Sequence, residues 1–93
     1  MIANVVVSRL AVKQLRKAPR HVARKLMQWT ANVERFGLEE TRKVPGFHDE
    51  PLRGDRQGQR SIRLSKKWRA VYVLNDNAKA EFVSIEEVTP HDY

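Results

Sequence analysis

Arg53, Arg56, Arg60, Arg63 and Arg69 crowd into the stretch from residue 53 to residue 69, joined by Lys66 and Lys67 and opposed only by Asp55. Each guanidinium is a planar, permanently charged fork that matches phosphate oxygens. His48, Asp49 and Glu50 stand just before them and bring proton-transfer groups, among which an unperturbed imidazole exchanges protons near neutral pH. Far along the chain, His91, Asp92 and Tyr93 offer a second imidazole, a carboxylate and a ring that can stack on a base or orient a phosphate. These types suit phosphoryl transfer without a cofactor. In RNA the attacking 2′-hydroxyl already lies beside the scissile phosphate. Such a site needs a base for that hydroxyl, an acid for the leaving 5′-oxygen, and positive charge on the equatorial oxygens. Arginines supply the charge and make poor bases, because they rarely lose their proton.

Other chemistries are less well served. Gly54 and Gly58 do not form a G-x-G-x-x-G or a Walker loop, and no G-x-S-x-G occurs. There is no cysteine, so no disulfide and no thiolate chemistry. A metal set built from His48, Asp49, His91 and Asp92 would need adjacent residues to converge on one ion, so neither metal nor cofactor is expected.

The chain carries 18 basic and 11 acidic residues, a formal charge of +7, which favours a polyanionic or acidic partner over a merely basic surface. The charge is blocked: residues 9 to 25 hold seven Arg or Lys and no acid, and residues 53 to 69 hold seven against one. Residues 34 to 50 and 75 to 93 are acidic on balance. No 18-residue apolar run and no signal-peptide pattern is present, so a cytoplasmic protein with no membrane partner is expected.

These residues need a frame. Ninety-three residues make one domain, 1–93. Ile2 to Val7 is a β-branched run and reads as a strand. Ser8 is placed to cap a first helix, with Leu10, Ala11, Leu15 and Ala18 inward and Arg9, Lys13, Arg16, Lys17 and Arg20 outward. That basic side could lie along nucleic acid or on an acidic partner. Pro19 ends the helix and can open a second in its first turn, Arg20 to Phe36, striped by Val22, Leu26, Trp29 and Val33 and closed by Gly37. Leu38 to Val44 is ambiguous, one or two helical turns with Leu38 and Thr41 inward. After the basic loop, Gln59 to Ser65 alternates as a strand, and Trp68 to Leu74 follows as its hairpin partner. Asn75, Asp76 and Asn77 read as a turn, and Lys79 to Val88 as a last strand with imperfect alternation, ended by Thr89 and Pro90. The result is an α+β fold, two helices packed on a small curved, mainly antiparallel sheet, in the order β-α-α-β-β-β. Trp29, Trp68 and Tyr72 read as core.

The segment P-L-R-G-D-R-Q-G at 51 to 58, the S-I-R-L that follows, the W-R at 68 and 69, and the terminal H-D-Y resemble the HigB toxins of the RelE/ParE superfamily. The likeness spans essentially the whole chain. It implies a metal-free, cofactor-free toxin that cleaves mRNA in the ribosomal A site, leaving a 2′,3′-cyclic phosphate. It also implies an antitoxin partner, of the helix-turn-helix kind, through which the complex would reach operator DNA. By the same resemblance Arg53, Arg56 and Arg69 hold the scissile phosphate, Glu50, His48, His91 or Asp92 handle protons, and Tyr93 orients substrate. Arg60, Arg63, Arg9, Lys13, Arg16 and Lys17 are the wider RNA-binding candidates. The pattern departs from the usual H-P-L-K-G-D at two positions: Glu50 stands for the histidine and Arg53 for the lysine. Relatives on the same fold poison DNA gyrase, so a toxin with a protein target, or an inactive RNA-binding protein, are the alternatives.

Overall fold

Ser8 starts the helical part of the chain in the computed structural model, which describes residues 1–76 and 81–90. Its hydroxyl accepts from the Ala11 N–H at 3.1 Å and so caps α1 (Arg9–Lys17), as expected. Arg16 and Lys17 close that helix, where cations complement its dipole. Pro19 sits at the N-cap of α2 (Arg20–Phe36), one residue earlier than a first-turn position. Its carbonyl accepts from Val22 and Ala23 at 3.0 and 3.3 Å. The stripe of Val22, Leu26, Trp29 and Val33 is buried. The ambiguous stretch after Gly37 is one short helix, α3 (Leu38–Arg42), with Leu38 and Thr41 inward. The Thr41 hydroxyl donates to the Gly37 carbonyl at 2.8 Å and accepts from Asn32 at 3.0 Å, which satisfies it in the core.

The strands are β1 (Val5–Val7), β2 (Glu50–Pro51), β3 (Gln59–Arg63), β4 (Trp68–Asp76) and β5 (Glu81–Pro90). They form one sheet in the order β1-β5-β4-β3-β2. β1 runs parallel to β5 and the other pairs are antiparallel. The expected class and element order hold, with α3 and the two-residue β2 added. Several boundaries move. The first strand is shorter than Ile2 to Val7. β3 stops at Arg63, because the Leu64 and Ser65 N–H groups both turn back to the Trp68 carbonyl. Two residues of the turn expected at Asn75 to Asn77 belong instead to β4, where Asn75 and Asp76 stand opposite Phe82 and Glu81. Asn77 lies outside the described residues, and β5 runs on through Thr89 and Pro90.

Ala11, Leu26, Trp29 and Val33 from the helices meet Ile62, Ala70, Tyr72, Val83, Ile85 and Val88 from one face of the sheet. The imperfect alternation of the last strand is a bulge. Val71 pairs with Glu87 and the next residue, Tyr72, with Ile85, so Glu86 is the extra residue. Without it, Glu87 would share a face with Ile85. With it, Val88 enters the core and Glu87 turns to the opposite face. Helix α1 braces the irregularity. Ser8 Oγ donates to the Glu86 carbonyl at 2.8 Å, and Gln14 Oε1 accepts from the Val88 N–H at 2.7 Å.

Gly37 joins α2 to α3 at φ 89° and ψ 160°, a region essentially reserved for glycine. The adjacent Leu38 N–H reaches the Ile2 carbonyl at 2.8 Å and ties the start of the chain to the helices. A Cβ at Gly37 would come 2.5 Å from Met1 Cγ, but that flexible side chain can move, so the cost lies in the backbone. Gly37→Ala is expected to lower unfolding free energy by about 1–3 kcal/mol in urea titration. An unchanged midpoint would mean that this conformation is not required.

Candidate active site

Strand β4 has two faces with different tasks. Ala70 and Tyr72 enter the core, and the Tyr72 ring lies 5.1 Å from that of Trp29. Arg69, Val71 and Val73 therefore point to the face that carries no helix. Register extends that face across the sheet in two rows. Glu50, Ser61, Val71 and Glu87 are successive neighbours across β2 to β5. Arg63, Arg69 and Thr89 form the next row, about 7 Å along the strands.

His48, Glu50, Ser61, Arg63, Lys66 and Arg69, with Ser65, Ile62 and Trp68, line a pocket of about 320 Å³ including its open mouth. Arg63 and Arg69 stand directly opposite each other, an arrangement of like charges that weakens a strand pair unless an anion lies between them. Arg69 Nε is buried and has no hydrogen-bond partner among the described residues. His48 is held at φ 48°, the one positive φ outside glycine among the described residues. This conformation costs on the order of 1–3 kcal/mol and brings the imidazole to within 3.8 Å of the Glu50 carboxylate. A carboxylate, an imidazole and two opposed guanidinium groups thus share one opening. Among the described residues no three His, Asp or Glu side chains gather in a way that would hold a metal ion.

Asp49 is not part of that opening. Its side chain is fully buried beneath the sheet, between the exposed His48 and Glu50. Its carboxylate accepts from Tyr72 Oη at 2.6 Å and from Arg60 Nε at 2.7 Å. Arg42 Nε donates to Tyr72 Oη at 3.3 Å. Burial, and then the hydrogen bond to Asp49, push the Tyr72 phenol up to about 12. Burial works against the Arg60 charge, but the hydrogen bond and charge of Asp49 outweigh it, and Arg60 holds its proton more tightly than usual.

The other candidates separate. Arg60 faces the helix side with Tyr72, its neighbour across β3 and β4. Arg56 lies over the helix-free face: Nε donates to Gln59 on β3 at 2.8 Å and the far nitrogen pairs with Glu87 on β5 at 2.9 Å. Arg56 thus links a side chain of β3 to a side chain of β5 on this face. Arg53 is exposed on the loop. Arg9, Lys13, Arg16 and Lys17 are exposed on α1, which packs on the opposite face of the sheet from the pocket. His91, Asp92 and Tyr93 lie outside the described residues.

Three contributors escape sequence reasoning. Ser61 shares a face with Arg63 by simple period-two spacing, a signal that was available. Glu87 reaches Arg56 only because of the bulge, whose one sequence trace is the broken alternation near Ile85. The burial of Asp49 has no sequence signal, because a two-residue strand shows no pattern.

The fold is that of a small α+β protein with N-terminal helices on a curved, mixed sheet, of RelE/ParE-like topology. The chain is similar to a YoeB/ParE toxin from Agrobacterium tumefaciens, at TM-score 0.69 and 18% identity over 96% of this chain and 99% of the other. YafQ from E. coli superposes at TM-score 0.72 and 18% identity, over 95% and 92% of the two chains. A YoeB–YefM complex from Staphylococcus aureus superposes at 0.70 and 19% identity, over 99% and 100%. At these identities the likeness is one of fold. No family model and no curated protein matches the sequence.

The raised Tyr72 pKa sets a pH dependence. The folded state binds this proton more tightly than the unfolded chain, so the contribution is complete below the ordinary tyrosine range near pH 10. It is lost as pH rises toward 12. The stability advantage of wild type over Tyr72→Phe is expected to shrink by about 2–3 kcal/mol between pH 9 and pH 12, in paired urea titrations. A constant difference would contradict the buried Tyr72–Asp49 bond.

Proposed function

We propose that this chain is the toxin of a toxin–antitoxin pair and acts as a metal-independent, ribosome-dependent endoribonuclease on translated mRNA in the A site. The observation that carries the reading is the opposed Arg63–Arg69 pair, sharing a pocket with Glu50 and His48. The likeness in fold to toxins supports it. So do the HigB-like segments of the sequence, and with them the narrower assignment to that branch.

In this mechanism Glu50 takes the proton of the 2′-hydroxyl. The oxygen attacks the adjacent phosphorus, and the charge that builds on the equatorial oxygens falls to Arg69 and Arg63. The bond to the 5′-oxygen breaks as protonated His48 gives that oxygen its proton. The products are a 2′,3′-cyclic phosphate and a 5′-hydroxyl. Arg53 contacts the RNA backbone from the loop. Arg56 reaches substrate only by leaving Glu87. Asp92, Tyr93 and His91 follow β5 in sequence beyond Thr89, the neighbour of Arg69. The proposal gives Tyr93 a share in orienting substrate and the other two a share in proton handling. The partner is a cognate antitoxin: RelBE2 from Mycobacterium tuberculosis and DinJ–YafQ from E. coli are toxin–antitoxin complexes similar in fold. Operator DNA would be reached through it.

Arg69→Ala is the direct test. It removes one of two opposed like charges, so thermal stability should hold or rise. Cleavage of mRNA on programmed ribosomes should fall by about 100- to 1,000-fold, the loss typical of removing one group that stabilises transition-state charge. Undiminished cleavage by the variant would overturn the assignment. Growth arrest by wild type with intact mRNA would point to a protein target such as DNA gyrase.

A further inference from the structure

The segment His48–Asp49–Glu50 has a marked pattern of exposure: the side chains of His48 and Glu50 are 55% and 60% exposed, and that of Asp49 between them is 0% exposed. The chain on either side is held by the backbone and the core: Phe47 is buried just before the segment, and the Leu52 N–H bonds to the Gln59 carbonyl at 2.9 Å just after it. Strand β2 is two residues long and pairs only with Ser61 and Arg60. The preceding 3₁₀ turn, Pro45–Phe47, ends in the unfavourable positive φ of His48. Within residues 48–50 the buried side-chain attachment is the Asp49 carboxylate, bonded at 2.6 and 2.7 Å to Tyr72 and Arg60. Those two residues are direct neighbours across β3 and β4, the same strands whose other face presents Arg63 and Arg69.

We propose that Asp49 is a positioning residue: its buried carboxylate pins the 48–50 segment from beneath the sheet and so holds His48 and Glu50 in the pocket on the other side. Asp49 leads directly into the extended β2, where side chains alternate, so anchoring it inward turns Glu50 outward, and the left-handed turn at His48 brings the imidazole to the same side, 3.8 Å from the Glu50 carboxylate. The anchor also compensates the cost of the left-handed His48 backbone. It is charge-assisted and shielded from water, and so stiffer than a surface contact. Because Tyr72 and Arg60 belong to the strands that carry Arg63 and Arg69, the proton-handling groups and the phosphate-binding groups take their relative position from one rigid strand pair. Arg42 extends the same network to α3.

The activity arm of the test rests on the nuclease reading above; the mobility arm does not. Asp49→Asn and Tyr72→Phe are made in the full chain, the second retaining the ring packed on Trp29 if the first fails to fold. Amide order parameters and hydrogen exchange at His48 and Glu50 should show the segment loosened while the core stays protected. On programmed ribosomes kcat should fall by about 100-fold with KM unchanged, the pattern of misplaced groups rather than lost binding. In a His48→Asn, Glu50→Gln background, Asp49→Asn should cost less than about twofold more, because it acts only through those two side chains. A segment that stays ordered in both variants overturns the proposal. So does full cleavage despite a loosened segment, or an undiminished cost of Asp49→Asn in the double-variant background. If wild type itself fails to cleave, the nuclease reading falls, and the order parameters alone decide whether Asp49 is the pin.

Discussion

The alternation of β4 is the constraint on which the rest depends. Ala70 and Tyr72 must enter the core against Trp29, so Arg69 and Val71 must leave it. A slip of one residue would exchange the two sets and bury a guanidinium. Register on either side turns that requirement into a site, since Arg63 comes opposite Arg69 and Ser61 comes between Val71 and Glu50. The bulge at Glu86 is the needed exception. It sends Val88 inward and Glu87 outward within one strand, and Ser8, the cap of α1, and Gln14 within that helix take up the backbone groups it disturbs.

The face so formed sorts its cations. Arg56 already has Glu87 as a counter-charge and ties it to Gln59 on β3. Arg63 and Arg69 face one another, and Arg69 Nε has no hydrogen-bond partner among the described residues, so an anion between them would relieve their repulsion. Arg60 is engaged on the opposite side with Asp49. In the proposed reading, the arginines on the helix-free side of β3 and β4 are the ones that meet a phosphate. The basic face of α1 lies across the sheet from them, whereas Lys25 of the same basic block stacks over Phe47, next to His48.

Much of the fold was legible because its signals are local and periodic. The cap at Ser8, the stripe from Val22 to Val33, the stop at Gly37 and the Ile62–Leu64 alternation each follow from a few neighbouring residues. Signals that depend on pairing were not legible. Nothing in Val5–Val7 says that it runs parallel to β5. Asn75 and Asp76 have turn chemistry, but pairing with Phe82 and Glu81 keeps them in the strand. The candidate site shows the same division. The cluster of arginines was plain, whereas their facing depended on register. His48, Asp49 and Glu50 looked alike as proton carriers, and only the fold separates the middle one from its neighbours. His91, Asp92 and Tyr93 stand outside the described residues, so their part rests on the resemblance alone.

The central claim is that the helix-free face of this sheet cuts RNA during translation. Primer extension on a translated reporter mRNA, after brief induction of the chain in cells without its antitoxin, tests this most directly. The account predicts breaks that follow the reading frame and vanish when initiation is blocked. Clear growth arrest with intact reporter mRNA would contradict it.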